Sequence, residues 1–306
     1  MSNCKTNNKR LFGLLLKILA VIAMILLILC FVRTCQNCKQ QQIRYIIVQR
    51  TGYMPDDEPW DSIPDEDPPY RDEDLDSLPN AVSLEHLFPP IGNQGNKGTC
   101  VAWAVGYNLT TALFAQKNKW TDAELSDKQN QTSPADLWFG IPVGSKTNAC
   151  NGTNFESAFS VLTSKGAANM QSVPYSSIGN CRKAFSGDTS RMLSDYHQLV
   201  RNGQIPETKY IKAYINDSIP LAFGASLGDN FMNWSSDAVI KSDTRLNPGM
   251  MHANHAMVIT GYDDGKHAFR VRNSWGAAWG DNGSIWIDYD YFTNDFCFAV
   301  FKAEIK

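Results

Sequence analysis

The sequence predicts an α+β fold with two segregated lobes, and three observations indicate this class. Helical patterns lie first along the main domain, short β-rich segments follow them, and the chain is apolar enough to build a core. It has 306 residues, of which 43% are hydrophobic. A chain of this length buries a sizeable core without depending on disulfides.

Four helices are predicted, each from local signals. Apolar residues are spread densely over 101–114, which is typical of a buried helix, and Thr99 stands at its N-cap position. The other three helices are marked by an N-cap side chain, a proline in the first turn or a closing glycine. They begin after Ser133, after Asn154 and at Pro206.

Five strands are predicted in the second half of the domain, where β-rich segments are separated by Gly, Asp and Asn. They cover residues 221–225, 256–262, 269–273, 284–287 and 298–305. A cleft between a helical lobe and a β-rich lobe is a natural substrate site.

Charge divides the chain into unlike segments. Residues 1–50 carry eight Lys or Arg and no acid, whereas residues 51–78 carry eleven Asp or Glu and one Arg. Residues 79–306, the predicted main domain, carry 19 basic and 20 acidic residues. A near-neutral domain argues against a nucleic-acid partner, which needs a basic surface.

Residues 11–32 form an apolar run that contains one charge, Lys17. The run follows a short tail, residues 1–10, and predicts one transmembrane helix that stays attached as a signal anchor. A cleaved signal peptide and a lipid-modified Cys30 are the alternatives, although the run is long and ends in bulky residues. Flanking Lys and Arg favour a cytoplasmic N-terminus and a periplasmic, extracellular or lumenal main domain.

Residues 33–78 are predicted to be a juxtamembrane segment and an acidic, Pro-rich linker. Self-repulsion and proline favour a solvated spacer, with an inhibitory or targeting segment as the alternative. Cys35 and Cys38 have CxxC spacing, but no second pair follows to complete a zinc site. Unmodified or palmitoylated thiols are the simpler interpretation.

Three residues have the side chains of a nucleophilic site. Cys100 is predicted at the start of a helix, where the local dipole favours a thiolate. His255 heads one predicted strand and Asn273 ends the next, so antiparallel pairing would bring them together as a base and its orienting partner. The alternatives are a buried structural thiol and a hydrogen-bonded core histidine.

Two further residues complete the hypothesis. The amide of Gln94 and the backbone N–H of Cys100 are candidate donors to an oxyanion, and Trp275 would shield the His255–Asn273 bond from water. The alternative for Gln94 is an ordinary loop residue without a catalytic role. The alternative for Trp275 is a side chain that only packs between glycine turns.

Four segments carry a resemblance to a known family. Pro90-Ile-Gly-Asn-Gln-Gly with Gly98-Thr-Cys-Val-Ala-Trp, Asn254-His-Ala-Met-Val, Asn273-Ser-Trp-Gly-Ala-Ala-Trp-Gly and Ala149-Cys-Asn-Gly resemble segments of the papain family of cysteine peptidases. The resemblance covers residues 79–306. It implies a two-lobed fold with a helical left lobe, a β-rich right lobe and a cleft between them.

The resemblance also assigns roles to residues. It implies Cys100 as nucleophile, His255 as base and acid, Asn273 as orienting residue and Gln94 as oxyanion donor, with no cofactor and no metal. It implies a substrate cleft lined by Asn151, Gly152, Thr153 and Asn254.

Departures from the family pattern modify these expectations. Lys97 replaces the first cysteine of the family's Cys-Gly-Ser-Cys, so that disulfide is absent. Cys150 and Cys181 are then expected to pair with each other, although two thiols remain an alternative. Val101 stands where the family usually has Trp, and in this respect the sequence resembles a bacterial branch of the family. The long spacing from Cys100 to His255 implies an insertion, placed within 228–252.

The leading hypothesis is therefore a membrane-anchored cysteine peptidase that acts on peptides or proteins through a thioester. The alternatives are a catalytically silent peptide-binding module, and an amidase or transpeptidase acting on cell-wall peptides.

Overall fold

The computed structural model describes Met24 and residues 63–147, 149–179, 181–244 and 253–305. The N-terminal tail, the apolar run over 11–32 except Met24, and residues 33–62 of the linker lie outside the described residues. Within the described ranges, no helix combines the length and the apolar character needed to cross a bilayer.

The right lobe is built on one mixed sheet. Its order is β1-β3-β9-β4-β6-β7-β8-β5, and β2 pairs with β6 off this path. In the described part of the chain the strands are β1 (Asp65–Glu66), β2 (Ala81–Ser83), β3 (Asp195–Leu199), β4 (Leu221–Leu227), β5 (Val239–Ile240), β6 (Ala253–Asp263), β7 (Ala268–Arg272), β8 (Ser284–Asp288) and β9 (Cys297–Glu304).

Helices form the left lobe and flank the sheet. The described helices are α1 (Asp72–Leu75), α2 (π-helical over Ala102–Thr110, then α-helical over Thr111–Asn118), α3 (Asp122–Ser126), α4 (Pro134–Gly140), α5 (Phe155–Ser164), α6 (Thr208–Asn216), α7 (Asp229–Met232) and α8 (Tyr289–Tyr291, continued by the π-helical turn Phe292–Phe296). The N-terminal part of α2 is fully buried and contacts α4, α5, β4 and β6.

The predicted helices and strands are present, with changes at their ends. Two predicted caps are confirmed: Ser133 accepts the Asp136 N–H, and Asn154 accepts the Ser157 N–H. The hydroxyl of Thr99, the third predicted cap, instead lies 2.7 Å from the Tyr175 hydroxyl. β3 is not among the predicted strands, because half-buried Tyr196 and His197 interrupt its alternation. Pairing with β9 holds this segment extended, which is a tertiary contact that local pattern does not reveal.

The acidic segment 63–78 differs from the solvated spacer that composition indicated. β1 pairs with β3, and buried Leu75 of α1 packs against Tyr210 and Ala213 of α6. The carboxylate of Glu66 accepts the Tyr214 hydroxyl at 3.0 Å and pairs with Lys302 at 2.5 Å. Basic and tyrosyl partners on the sheet and on α6 therefore offset the self-repulsion that composition alone suggests.

Candidate active site

Cys100 lies at the N-terminal end of α2 and is completely buried. The loop before it is held by two backbone hydrogen bonds, from Gly98 N to Cys150 O and from Trp103 N to Thr99 O. A Cβ on Gly98 would lie 2.6 Å from the Asn151 backbone, so this close approach requires glycine. The sulfur is thereby fixed at the end of a rigid, buried helix.

The sheet register brings His255 and Asn273 together. Val258 of β6 pairs with Arg272 of β7, so His255, three residues earlier, and Asn273, one residue later, are diagonal neighbours. His255 Nε2 lies 2.8 Å from Asn273 Oδ1, and both side chains are buried. The Trp275 ring centroid lies 4.8 Å from that of His255, which shields this hydrogen bond from water.

The hydrogen bonds around Asn273 define the tautomer of His255. Asn273 Oδ1 also accepts the Ser274 N–H at 2.7 Å, so this atom is the amide oxygen. An amide oxygen only accepts, and His255 Nε2 therefore carries the hydrogen while Nδ1 holds a lone pair. Nδ1 is buried and has no hydrogen-bond partner among the described residues. Burial lowers the pKa of His255 to about 4, and the Asn273 bond opposes that shift.

Gln94 is fully buried beside these residues and its side chain is held at both ends. Its Nε2 donates to Lys97 O at 2.8 Å, and its Oε1 accepts the Ser274 hydroxyl at 2.6 Å. Its backbone N–H also donates to Ser274 O at 2.8 Å. Ser274 is not among the predicted site residues, although its position next to Asn273 indicates that it belongs to the candidate site.

Tyr175 is a second residue that the sequence analysis missed. It lies in a single helical turn, Tyr175–Ile178, and its hydroxyl donates to Gln94 O at 2.9 Å. The same hydroxyl lies 2.7 Å from Thr99 Oγ1, so the predicted cap residue uses its side chain to contact Tyr175. One phenol therefore joins the Gln94 loop to the residue before Cys100.

Tyr175→Phe is expected to lower kcat about 5- to 20-fold with KM little changed, because the Gln94 loop loses an anchor beside the reacting atoms. Steady-state kinetics on one peptide substrate separate the two constants. Tyr196→Phe, in β3 and stacked on Phe159, is the matched control and should retain full kcat. A rise in KM at unchanged kcat would argue against this positioning role.

The predicted cleft wall is a bridged loop closed by a disulfide. Cys150 and Cys181 are bonded, with their Cα atoms 5.5 Å apart. Thr147 N donates to Gly152 O at 3.0 Å, and the Thr153 hydroxyl donates inward to Ser145 O at 2.7 Å.

The four predicted cleft residues differ in exposure. Asn151 is exposed, Gly152 and Thr153 are buried, and Asn254 is half-buried beside His255. The Thr153 side chain is turned inward, away from the predicted cleft.

An ion pair between buried Arg272 and half-buried Glu85 lies beside the site. Arg272, next to Asn273, donates from Nη1 to Glu85 at 2.9 Å and from Nε to Asn108 Oδ1 of α2 at 3.2 Å. It also donates to the carbonyl oxygen of Pro89. Arg272 thus links β7, α2 and the segment that leads to Gln94.

One surface group has the composition of a metal site. Ligand atoms of His267, Asp288 and Asp290 lie within 4.8 Å of one another. Asp288 caps the turn after β8 through the Asp290 and Tyr291 N–H groups, which explains the arrangement without an ion.

The chain is similar in sequence to known proteins. Ananain of Ananas comosus is 28% identical over 227 residues, which cover 72% of this chain and 59% of ananain. KDEL-tailed cysteine endopeptidase CEP2 of Arabidopsis thaliana is 30% identical over 224 residues, which cover 72% of this chain and 56% of that protein. The chain thus spans less than two thirds of either relative.

The fold is also found in solved structures. The crystal structure of xylellain, a cysteine protease from Xylella fastidiosa, matches with a TM-score of 0.67 at 20% identity and covers 85% of this chain and 97% of xylellain. The family profile "Papain family cysteine protease" matches residues 80–297. The chain therefore belongs to the papain family of cysteine proteases.

Proposed function

We propose that this protein is a cysteine peptidase that hydrolyses peptide bonds through a thioester on Cys100. The observation that carries the proposal is the buried His255–Asn273 pair, which leaves Nδ1 of the imidazole as a proton acceptor. Family membership supports a peptide or protein as substrate.

The first half of the proposed reaction forms the thioester. His255 Nδ1 takes the Cys100 proton as the sulfur attacks the carbonyl carbon of the substrate. The Gln94 amide and the Cys100 N–H stabilise the oxyanion that forms. The intermediate then collapses, the C–N bond breaks, and the imidazolium returns its proton to the leaving amine.

The second half releases the acyl group. His255 takes a proton from water, which attacks the thioester carbon, and the C–S bond breaks as the intermediate collapses. The imidazolium then protonates the leaving Cys100 sulfur. Asn273 holds the ring plane through both steps, since its oxygen accepts the Nε2 hydrogen in either protonation state.

Product analysis in H₂¹⁸O tests this proposal against its alternatives. A peptidase gives two peptides, with ¹⁸O in the new carboxylate. A transpeptidase gives amide-linked product when an amine acceptor is added, and an amidase is selective for cell-wall fragments. Folded protein that binds peptides without cleaving them would contradict the proposal and favour a silent binding module.

The acid limb of the pH–rate profile is expected near pH 4 rather than near the ordinary value for histidine. Burial holds the pKa of His255 at about 4, so the imidazole stays neutral and able to accept the Cys100 proton above that pH. Below it the ring is already protonated and turnover falls.

Measurement of kcat/KM across the pH range, with folding followed by circular dichroism, checks this prediction. The rate at which a small alkylating agent inactivates the enzyme should show the same limb. A midpoint near pH 6.5 would show that the imidazole is far better solvated than its burial indicates.

We also propose that the apolar run over residues 11–32 anchors the protein in a membrane. The N-terminus then lies in the cytoplasm and the peptidase domain lies outside the cytoplasm. Twenty-two residues with one charge support this proposal. Retention in the membrane pellet after alkaline carbonate extraction is the expected result, and release into the supernatant would contradict it.

Val101 after the nucleophile supports assignment to a bacterial-type branch of the family.

A further inference from the structure

A basic cavity lies on the left lobe, away from the proposed catalytic residues. Its volume is about 590 Å³, and four of the described residues that line it are cationic: Lys146, Lys165, Arg182 and Lys183. None of the described lining residues is Asp or Glu. In a domain whose charges nearly cancel, this is a local excess of positive charge. We call it the basic pocket.

Lys146 is the most enclosed of these cations. Its Nζ donates to Trp138 O at 2.6 Å and lies 5.6 Å from the centroid of the Trp138 ring. Burial lowers the pKa of Lys146 to about 8. A carbonyl oxygen and a ring face solvate an ammonium group but do not neutralise its charge, so a bound carboxylate would raise this pKa again.

Apolar side chains complete the lining. Val143 is 79% exposed, which is unusual for a large apolar residue in the described part of this domain. Pro142 and Phe185 line the pocket with it. The surface therefore matches a peptide that carries a carboxylate next to an apolar residue.

The pocket shares a wall with the proposed substrate cleft. Lys146 and Thr153 form an antiparallel bridge, so one strand of the wall lines the pocket and the other belongs to the cleft segment 151–153. Asn151 in that segment contacts Gly98, two residues before Cys100. The basic pocket and the proposed cleft segment are therefore adjacent on the same lobe.

We propose that the basic pocket binds an acidic side chain of the substrate peptide, so that the enzyme prefers Asp or Glu at a position outside the scissile pair. This proposal rests on the peptidase function. It identifies a substrate class, peptides with a carboxylate at a fixed distance from the cleaved bond.

A scan of quenched fluorescent peptides tests this proposal on the full chain. A single Glu is moved along an otherwise constant peptide, and each peptide is compared with its Gln isostere. We expect kcat/KM to be about three- to tenfold higher for Glu than for Gln at one or two positions. The ratio should fall as salt is added, because the pocket is open to solvent.

Variants assign the preference to the pocket. Lys183→Ala and Lys146→Ala should bring the Glu/Gln ratio toward one, and Lys183→Glu should reverse it. Lys128→Ala is the matched control, since Lys128 is an exposed lysine of the same lobe that does not line the pocket. The Gln peptides report any general loss of activity in the same variants.

Two results would overturn the proposal: a Glu/Gln ratio near one at every position, or a preference that survives Lys183→Glu. The acidic residues of segment 51–62 are a competing occupant. If these residues fill the pocket, changing the Asp and Glu of segment 51–62 to Asn and Gln would raise turnover of the Glu peptides. In that case Lys183→Ala would also raise turnover of the Gln peptides.

A direct binding measurement separates this proposal from the peptidase function. Fluorescence anisotropy of a labelled Glu peptide with the Cys100→Ala protein reports binding without turnover. Tighter binding of Glu than Gln, lost in Lys183→Glu, supports the pocket even if no peptide is hydrolysed. Equal binding alongside normal hydrolysis rejects the pocket and leaves the peptidase function intact.

Discussion

Replacing Cys100 with alanine is expected to reduce kcat/KM for peptide hydrolysis by at least about 10⁴-fold while the protein remains folded. In the proposed mechanism the Cys100 sulfur forms the bond to the acyl group, and no other group can replace it. The side chain is fully buried and small, so alanine leaves a cavity of roughly one atom. Thermal melting and near-ultraviolet circular dichroism verify that the variant is folded.

Cys297→Ala is the matched control for Cys100→Ala. Cys297 is the other buried cysteine outside the disulfide among the described residues, and burial raises the pKa of its thiol. It therefore stays protonated and unreactive, and its loss should leave kcat/KM unchanged. Substantial hydrolysis by Cys100→Ala, or equal losses in the two variants, would refute the assignment of the nucleophile.

Arg272→Met is expected to destabilise the domain by about 3 kcal/mol, because it removes a buried guanidinium that satisfies two buried acceptors and pairs with the half-buried Glu85 carboxylate. Glu85 would keep a carboxylate without its cation, and Asn108 Oδ1 and Pro89 O would each lose a donor. For a domain of this size the melting temperature should fall by roughly 6–12 °C.

Arg71→Met is the matched control for Arg272→Met. Arg71 also pairs with carboxylates, Glu73 and Asp74, but its side chain is 72% exposed. Its replacement should leave the melting temperature nearly unchanged, since solvent screens such pairs. A similar fall in melting temperature in the two variants would mean that burial of the arginine does not determine how much its contacts stabilise the domain.

The residues that could be predicted from sequence are those whose signals are local. Ser133 and Asn154 cap helices at the expected positions because an N-cap side chain bonds within its own turn. His255 and Asn273 meet because two short strands joined by a tight turn pair antiparallel, so their spacing already determined their separation. Residues on consecutive strands are therefore predictable as neighbours.

The parts that escaped prediction depend on contacts between distant segments. Tyr175 reaches Gln94 across 81 positions, and nothing near Tyr175 in the sequence indicates a bond to the Gln94 loop. Composition made the acidic segment look like a solvated spacer, yet Glu66 pairs with Lys302 at the far end of the chain. The net charge of a sequence segment does not show which oppositely charged side chains the fold places beside that segment.

The most direct test of the account is covalent labelling of the folded protein with an epoxysuccinyl peptide, mapped by mass spectrometry. The account predicts rapid labelling of Cys100 and none of Cys297, with the Cys100 reaction lost in His255→Ala. Absence of label on Cys100 in folded protein, or labelling of both thiols at similar rates, would contradict an assembled Cys100–His255 nucleophile.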